Sequence, residues 1–217
     1  MVPTKPAPWT APRALRPCFE FRDLVIRPYG AEDAAQLFRV VDCSRSALLP
    51  WLPWAQTQHR SVAASRECIE QFARSALDPL APENNATLGY VFGVFDLASG
   101  ELLAGTGFNR LHADTHNAET GYWVRADRRR EGIASASLAA ALSWGFTPQA
   151  DGGFGFRRVH IFAADANVGS CGVPRKLGLR ETTRTRGDRW VEGVGWCGPR
   201  GWEVLAEEWN VENGSLC

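Results

Sequence analysis

The chain has 217 residues, 45% of them hydrophobic, and its 24 basic side chains balance 24 acidic ones. This length and apolar content can build one sizeable core, so a single globular domain is expected. A formal net charge of zero provides no overall field that would attract nucleic acid or an anionic membrane, so neither is expected as a partner. Any anion-binding site must therefore be local.

No apolar run is long enough for a signal peptide or a membrane span, which predicts a cytoplasmic protein. The six cysteines form no C-x-x-C pair and no Cys/His ligand pattern. Neither a metal site nor a disulfide framework is therefore expected, and reduced thiols fit the pattern best.

The first half of the chain predicts an irregular arm over residues 1–18, followed by one domain over residues 19–217. Alternating apolar residues in "DLVIRPYG" predict a strand, and the spacing in "AEDAAQLFRVVDCSRSALL" predicts a helix. Pro50 and Pro53 then hold an irregular loop that carries Trp51 and Trp54. A second helix begins after Ser61, a suitable N-cap.

The second half alternates strands and helices. A hairpin turning at Ser99-Gly100 and the strand "AETGYWVRA" predict an antiparallel meander. A helix over Gly132 to Trp144, the strand "RRVHIFAAD" and the short helix "NVGSCGVPRKLG" then indicate a parallel crossover. With two more strand candidates near the end, the pattern predicts an α/β fold with a mixed sheet.

A cluster of arginines lies where the helix at Gly132 begins, in "RADRRREGIASASLAAALSWGF". A helix N-terminus offers free N–H groups and a positive dipole end, which suit a phosphate or pyrophosphate. Gly132, Ala134 and Ser135 add little bulk there, and Arg129 and Arg130 can supply charge at the rim. The alternative, a solvated arginine loop, is about as plausible from composition alone.

The spacing Arg129-x-x-Gly132-x-Ala134 resembles the [QR]-x-x-G-x-[GA] signature of the GNAT acyltransferases. The segments "AETGYWV" and "NVGSCGVPRKLGL" resemble its neighbouring segments, in order, while "WLPW" and the final "EEW" resemble the RimJ/RimL branch. The resemblance covers about Phe19 to Trp209. It implies a mixed, mostly antiparallel sheet of about seven strands flanked by helices, with two splayed strands that bind acetyl-CoA as co-substrate.

The same resemblance implies a set of coenzyme contacts. A backbone N–H near Trp123 or Val124 would polarise the thioester oxygen, and the helix start would bind the pyrophosphate. The implied residues are Trp123, Val124, Arg129, Arg130, Gly132, Ile133, Ala134, Ser135 and Asn167.

The resemblance also implies catalytic groups. Glu119 is the predicted base, with a water chain as the alternative, and Ser170 is the predicted acid. Ordinary helix capping is the alternative for Asn167 and Ser170. Cys171 is expected to be a small buried residue rather than a nucleophile, and no histidine is given a catalytic role.

The resemblance implies that the acceptor lies against Trp51, Trp54 and Tyr122, although packing explains the two tryptophans equally well. The resemblance predicts an N-acetyltransferase in which a primary amine attacks acetyl-CoA directly in a ternary complex. A protein or peptide N-terminus is the leading acceptor, through the branch resemblance alone. A small-molecule amine and a non-catalytic acyl-CoA-binding role remain as alternatives, and both a monomer and a homodimer are open.

Overall fold

The computed structural model describes residues 7–86, 88–185, 187 and 189–210, together with the backbone of 214–216. Eleven strands and six α-helices are present in these residues. The strands are β1 (Phe19–Phe21), β2 (Leu24–Pro28), β3 (Tyr90–Asp96), β4 (Leu102–His112), β5 (Asn117–Val124), β6 (Arg158–Ala164), β7 (Arg180–Arg184), β8 (Arg189–Val191), β9 (Gly195–Cys197), β10 (Pro199–Leu205) and β11 (Gly214–Leu216). The helices are α1 (Ala34–Leu48), α2 (Trp54–Thr57), α3 (Val62–Leu77), α4 (Pro82–Asn85), α5 (Ile133–Phe146) and α6 (Val168–Lys176).

One sheet organises the fold, with the strand order β11-β1-β2-β3-β4-β5-β6-β10-β7. Every pairing in this described sheet is antiparallel except that of β5 with β6. The predicted mixed, mostly antiparallel sheet flanked by helices is therefore confirmed. It has more strands than the sequence indicates, because β1 and β11 are only three residues long and too short to leave a periodic signal.

Helices pack on both faces of this sheet. α1 and α3 bury their apolar residues with those of β3 and β4 on one face, which we call the outer face. α5 lies on the opposite, inner face, where Leu138, Leu142 and Trp144 are almost fully buried in the main core. Alanines on α5 permit this close approach, since Ala140 and Ala141 are also buried.

The strands β5 and β6 separate within the sheet. Their parallel pairing runs from Asn117 and Arg158 to Thr120 and Ile161 and then stops. Beyond this point β5 still pairs with β4 up to Val124, while β6 pairs with β10. The two strands are thus held by their outer neighbours and leave a gap between them.

The described part of the predicted arm, residues 7–18, contains neither helix nor strand, yet it packs against the domain. Trp9 is only 4% exposed and lies in the main core. The expectation of reduced thiols throughout is wrong at one position, because Cys18 is disulfide-bonded. The four cysteines recorded as free thiols are Cys43, Cys68, Cys171 and Cys197. Within the described ranges, no helix is both long and apolar enough to cross a bilayer.

Candidate active site

A cavity of about 900 Å³ occupies the gap between β5 and β6 and continues to the start of α5. Its size lies within the range of small-molecule sites. Most of its wall comes from the loop after α1, the separated ends of β5 and β6, the first turn of α5, and α6. The predicted residues that line it are Trp51, Tyr122, Trp123, Val124, Arg129, Arg130, Gly132, Ile133, Ala134, Ser135, Asn167 and Ser170.

The first turn of α5 presents free amides to this cavity. Gly132 caps the helix with φ of 85°, and its carbonyl accepts from the amide of Ala136 at 3.0 Å. The amides of Ile133, Ala134 and Ser135 find no acceptor within the described residues, as expected for a helix start. A Cβ on Gly132 would meet nothing within 4 Å. The open space and the unpaired amides together form an anion-binding cradle.

Two of the clustered arginines neutralise acids of their own loop. Arg125 binds Asp127 at 2.7 Å and Glu101 at 2.5 Å, and the hydrogen bond from Arg125 lowers the pKa of Asp127. Arg128 binds Glu131 at 2.7 Å and Glu101 at 3.4 Å. These pairs fix the loop before α5 but leave little of their charge for a ligand.

Four other cations border the cavity. Arg129 donates to the carbonyl of Ala47 at the end of α1, at 3.2 Å. Arg130 is exposed and has a positive φ of 67°. Lys176 of α6 and Arg189 of β8 also line the cavity. Sequence reasoning missed these last two, because they approach the site only through the tertiary fold.

Backbone alternation decides which amides of β5 face the gap. The amide of Arg125 donates to the carbonyl of its facing residue Leu103 at 3.0 Å. Hydrogen-bonded and non-hydrogen-bonded pairs alternate along an antiparallel ladder, so the amide of Trp123 also points to β4. Those of Tyr122 and Val124 point to the gap. Of the two predicted oxyanion positions, Val124 is the one whose N–H faces the cavity.

Ser170 and Tyr122 meet on the inner-face side of the cavity. The Tyr122 hydroxyl donates to the Ser170 carbonyl at 2.9 Å and lies 3.5 Å from Ser170 Oγ. Burial raises the pKa of Tyr122, so its hydroxyl stays protonated. Tyr122 therefore lies next to Ser170, the predicted acid, whereas the sequence grouped it with Trp51 and Trp54 as an acceptor contact.

Asn167 caps α6, as its Oδ1 accepts from the Ser170 amide at 3.2 Å. The sequence left helix capping open as an alternative to a catalytic or binding role for Asn167 and Ser170. The structure has this cap, and both residues also line the cavity. The adjacent Cys171 is 1% exposed, and burial raises the pKa of its thiol. A raised thiol pKa disfavours the thiolate needed for nucleophilic attack.

The two predicted acceptor tryptophans have different positions. Trp51 lines the cavity beside Leu52. Trp54 does not; its ring packs at 6.0 Å from that of Trp123 and at 5.8 Å from that of His59. Gly105 makes room for the Trp123 ring, since a Cβ there would lie 2.3 Å from its Nε1. Packing therefore accounts for Trp54, whereas Trp51 remains available to a ligand.

Glu119 lies on the outer face and does not line the cavity. Both of its carboxylate oxygens accept from Arg110, at 3.0 and 3.1 Å. The next outer-face residue of β5 is Gly121, which does line the cavity. The predicted base is thus one strand pleat away from the cavity and is already ion-paired.

We expect Ser170→Ala to lower kcat about tenfold and to change the coenzyme Kd by less than threefold. The Asn167 cap binds the Ser170 backbone, so α6 should retain its start, and Tyr122 should supply part of the lost proton donation. Stopped-flow thiol release and calorimetry measure the two quantities. A loss confined to Kd would instead make Ser170 a binding residue.

The protein should lose stability in acid through His59, which lies between α2 and α3. This side chain is 3% exposed, and burial, followed by the nearby Arg45, lowers its pKa to about 4. The unfolded chain binds this proton near pH 6.5, so stability is complete above that pH and falls as the pH drops towards 4. We expect a loss of about 1 to 2 kcal/mol between pH 7 and pH 5 in urea denaturation. A His59→Gln chain should show a flatter profile, and an equally steep one would contradict this origin.

Comparison with known proteins agrees with this geometry. The family model "Acetyltransferase (GNAT) domain" matches residues 23–180. The "Putative ribosomal N-acetyltransferase YdaF" of Bacillus subtilis is 23% identical over 171 residues, which are 79% of this chain and 85% of that protein.

Solved structures show the same fold. The ribosomal-protein-S5-alanine acetyltransferase of Vibrio fischeri superposes with a TM-score of 0.70 at 17% identity, over 89% of this chain and 99% of that one. RimJ of Mycobacterium smegmatis, in complex with CoA-disulfide, gives a TM-score of 0.70 at 20% identity, over 92% and 95% of the two chains. Since the family model spans most of the domain, including the splayed strands and the start of α5, this chain belongs to the GNAT family of acetyltransferases.

Proposed function

We propose that this protein transfers the acetyl group of acetyl-CoA to the N-terminal amine of a protein or peptide, by direct attack in a ternary complex. The main support for the proposal is that one cavity extends from the free amides at the start of α5 to the gap between β5 and β6. This shape matches an extended ligand with an anionic end and an amide-rich arm. The names of the RimJ, S5-alanine and YdaF relatives support the acceptor class.

Each part of the cavity has a task in this reaction. The amides of Ile133, Ala134 and Ser135 bind the diphosphate, and Arg129 and Arg130 add charge at its rim. The Val124 amide donates to the thioester oxygen, where negative charge develops during attack. Ser170 and Tyr122 provide hydroxyls for the departing sulfur. Trp51 and Phe162 border the opening on the acceptor side and exclude water from the amine.

The outer face allows a chain end to reach this opening. Phe162 is 45% exposed, and Gly121 is exposed and carries no side chain. Two carboxylates of the outer face, Glu119 and Glu203, are ion-paired with arginines. An acidic lining would favour a polycationic small molecule, so this balanced and open surface favours a peptide.

A free-thiol assay with acetyl-CoA tests the proposal. Peptides that begin with Ala, Ser or Met should release CoA thiol, and mass analysis should place a single acetyl group on the N-terminal nitrogen. The matched controls are the same peptides with a formylated N-terminus, together with a panel of aminoglycosides and polyamines. Transfer to the small amines alone would reassign the acceptor class. Coenzyme binding without any transfer would support a non-catalytic acyl-CoA-binding protein.

A further inference from the structure

Three ionisable side chains form a row on the outer face, next to the point where β5 and β6 separate. Glu119 and His160 are Cα partners in the parallel pairing, and His160 is in turn the partner of Glu203 on β10. Partners on adjacent strands are about 4.8 Å apart and point to the same face. His160 therefore lies between the two carboxylates.

The row lies next to the cavity, although its three members are not among the lining residues. The next outer-face residues along β5 and β6 are Gly121 and Phe162, and both line the cavity. A Cβ on Gly121 would meet nothing within 4 Å, so solvent can occupy the space above it. The Phe162 ring stacks on the His160 imidazole, with centroids 6.4 Å apart. On the cavity side His160 is therefore flanked by the Phe162 ring, and the open space above Gly121 is the route that remains for solvent.

The two carboxylates are already engaged, whereas the imidazole can accept a proton. Glu119 binds Arg110, and Glu203, whose side chain is 11% exposed, binds Arg180 and lies 3.8 Å from Arg158. Glu203 also approaches His160 Nδ1 at 4.0 Å.

Burial favours the neutral form of His160. Burial is the main cause that lowers its pKa, and Arg158 and His112 lower it further, whereas Glu203 and Glu119 raise it. A histidine with a pKa below its usual 6.5 is unprotonated at pH 7 and free to act as a base.

We propose that His160 accepts the proton that the acceptor amine releases, through solvent above Gly121. This inference rests on the proposed function. One proton passes from the ammonium nitrogen to His160, and the neutral amine then attacks the thioester carbon. The C–N bond forms and the C–S bond breaks. The second nitrogen proton passes to the CoA sulfur, and His160 returns its proton to bulk solvent. Glu119 then serves to hold Arg110.

His160→Gln tests the role. We expect kcat at pH 7 to fall at least tenfold, while acetyl-CoA affinity by calorimetry stays within twofold. The acidic limb of kcat against pH, with an apparent pKa below 6.5 in the parent protein, should disappear in this variant. The matched control is His112→Gln, an exposed histidine of β4, which should change kcat less than twofold. Glu119→Gln should retain the acidic limb.

Chemical rescue separates a proton-transfer role from a structural one. We expect added imidazole to restore kcat of His160→Ala in a concentration-dependent way, because a small base can occupy the vacated space, and to leave Glu119→Gln unchanged. The inference is overturned if Glu119→Gln loses the acidic limb while His160→Gln keeps it, or if imidazole restores nothing in a folded His160→Ala protein. Absence of any transfer by the parent protein would refute the proposed function instead.

Discussion

Gly132→Ala is expected to weaken acetyl-CoA binding about 10- to 100-fold. The new methyl group would enter the space directly above the first amides of α5, where the structure has nothing within 4 Å. The diphosphate would have to move outward, and each charge-assisted hydrogen bond that it loses is worth about 1.5 to 3 kcal/mol. Calorimetric titration with acetyl-CoA and with CoA measures the effect.

Gly100→Ala is the matched control for this change. Gly100 lies in the turn between β3 and β4, with φ of 70°, and a Cβ there also meets nothing within 4 Å. Both variants force alanine into a left-handed conformation and should cost a similar stability, about 1 kcal/mol. Only Gly132→Ala should lose affinity. Equal affinities in the two variants would show that the diphosphate binds elsewhere.

The main features of the fold were predictable because local signals mark them. Gly132 follows an arginine run and precedes an apolar helix, an order that fits an anion-binding helix start and a solvated arginine loop about equally, and the resemblance to the GNAT signature favoured the first. The strands on either side of α5 have the β-branched and aromatic content of buried strands. The parallel crossover follows from their order along the chain, and the structure has it between β5 and β6.

The faces of β5 were less predictable from the sequence. Alternation predicts that Tyr122 and Trp123 point to opposite faces. Which of the two lies on the same face as the Ser170 hydroxyl depends on where α6 packs. In the structure Tyr122 reaches Ser170 on α6 and Trp123 meets Trp54. Grouping Tyr122 with the acceptor tryptophans did not use this alternation.

The ion pairs could not be predicted from the local sequence either. Arg128 could not be separated from Arg129 and Arg130 by pattern, because its partner Glu101 is 27 residues away in the chain. Likewise, the partnership of Glu119 with Arg110 depends on a bulge in β4, where the register against β5 shifts between Asn109 and His112. Such contacts require the folded sheet, and they decide which charges remain for a ligand.

Trp9→Ala is expected to lower the free energy of unfolding by about 3 to 5 kcal/mol, the range for truncating a buried large aromatic residue. The ring stacks on Phe156 at 5.3 Å, and its Nε1 donates to the Phe154 carbonyl at 2.7 Å. Its backbone amide also binds the Ala113 carbonyl, at 2.8 Å. The substitution would leave a cavity beside Phe156 and remove one of the two donors to the Phe154 carbonyl, which keeps the longer bond from Gln149 at 3.2 Å.

Trp190→Ala provides the comparison, since Trp190 is 58% exposed and its ring contact is with Trp196, at 5.8 Å. We expect it to cost about 1 kcal/mol or less. Urea denaturation followed by far-UV circular dichroism measures both variants without relying on tryptophan fluorescence. If the arm merely lay on the surface, the two losses would be similar. A large loss at Trp9 alone would show that the irregular arm is part of the main core, which also buries the apolar residues of α5.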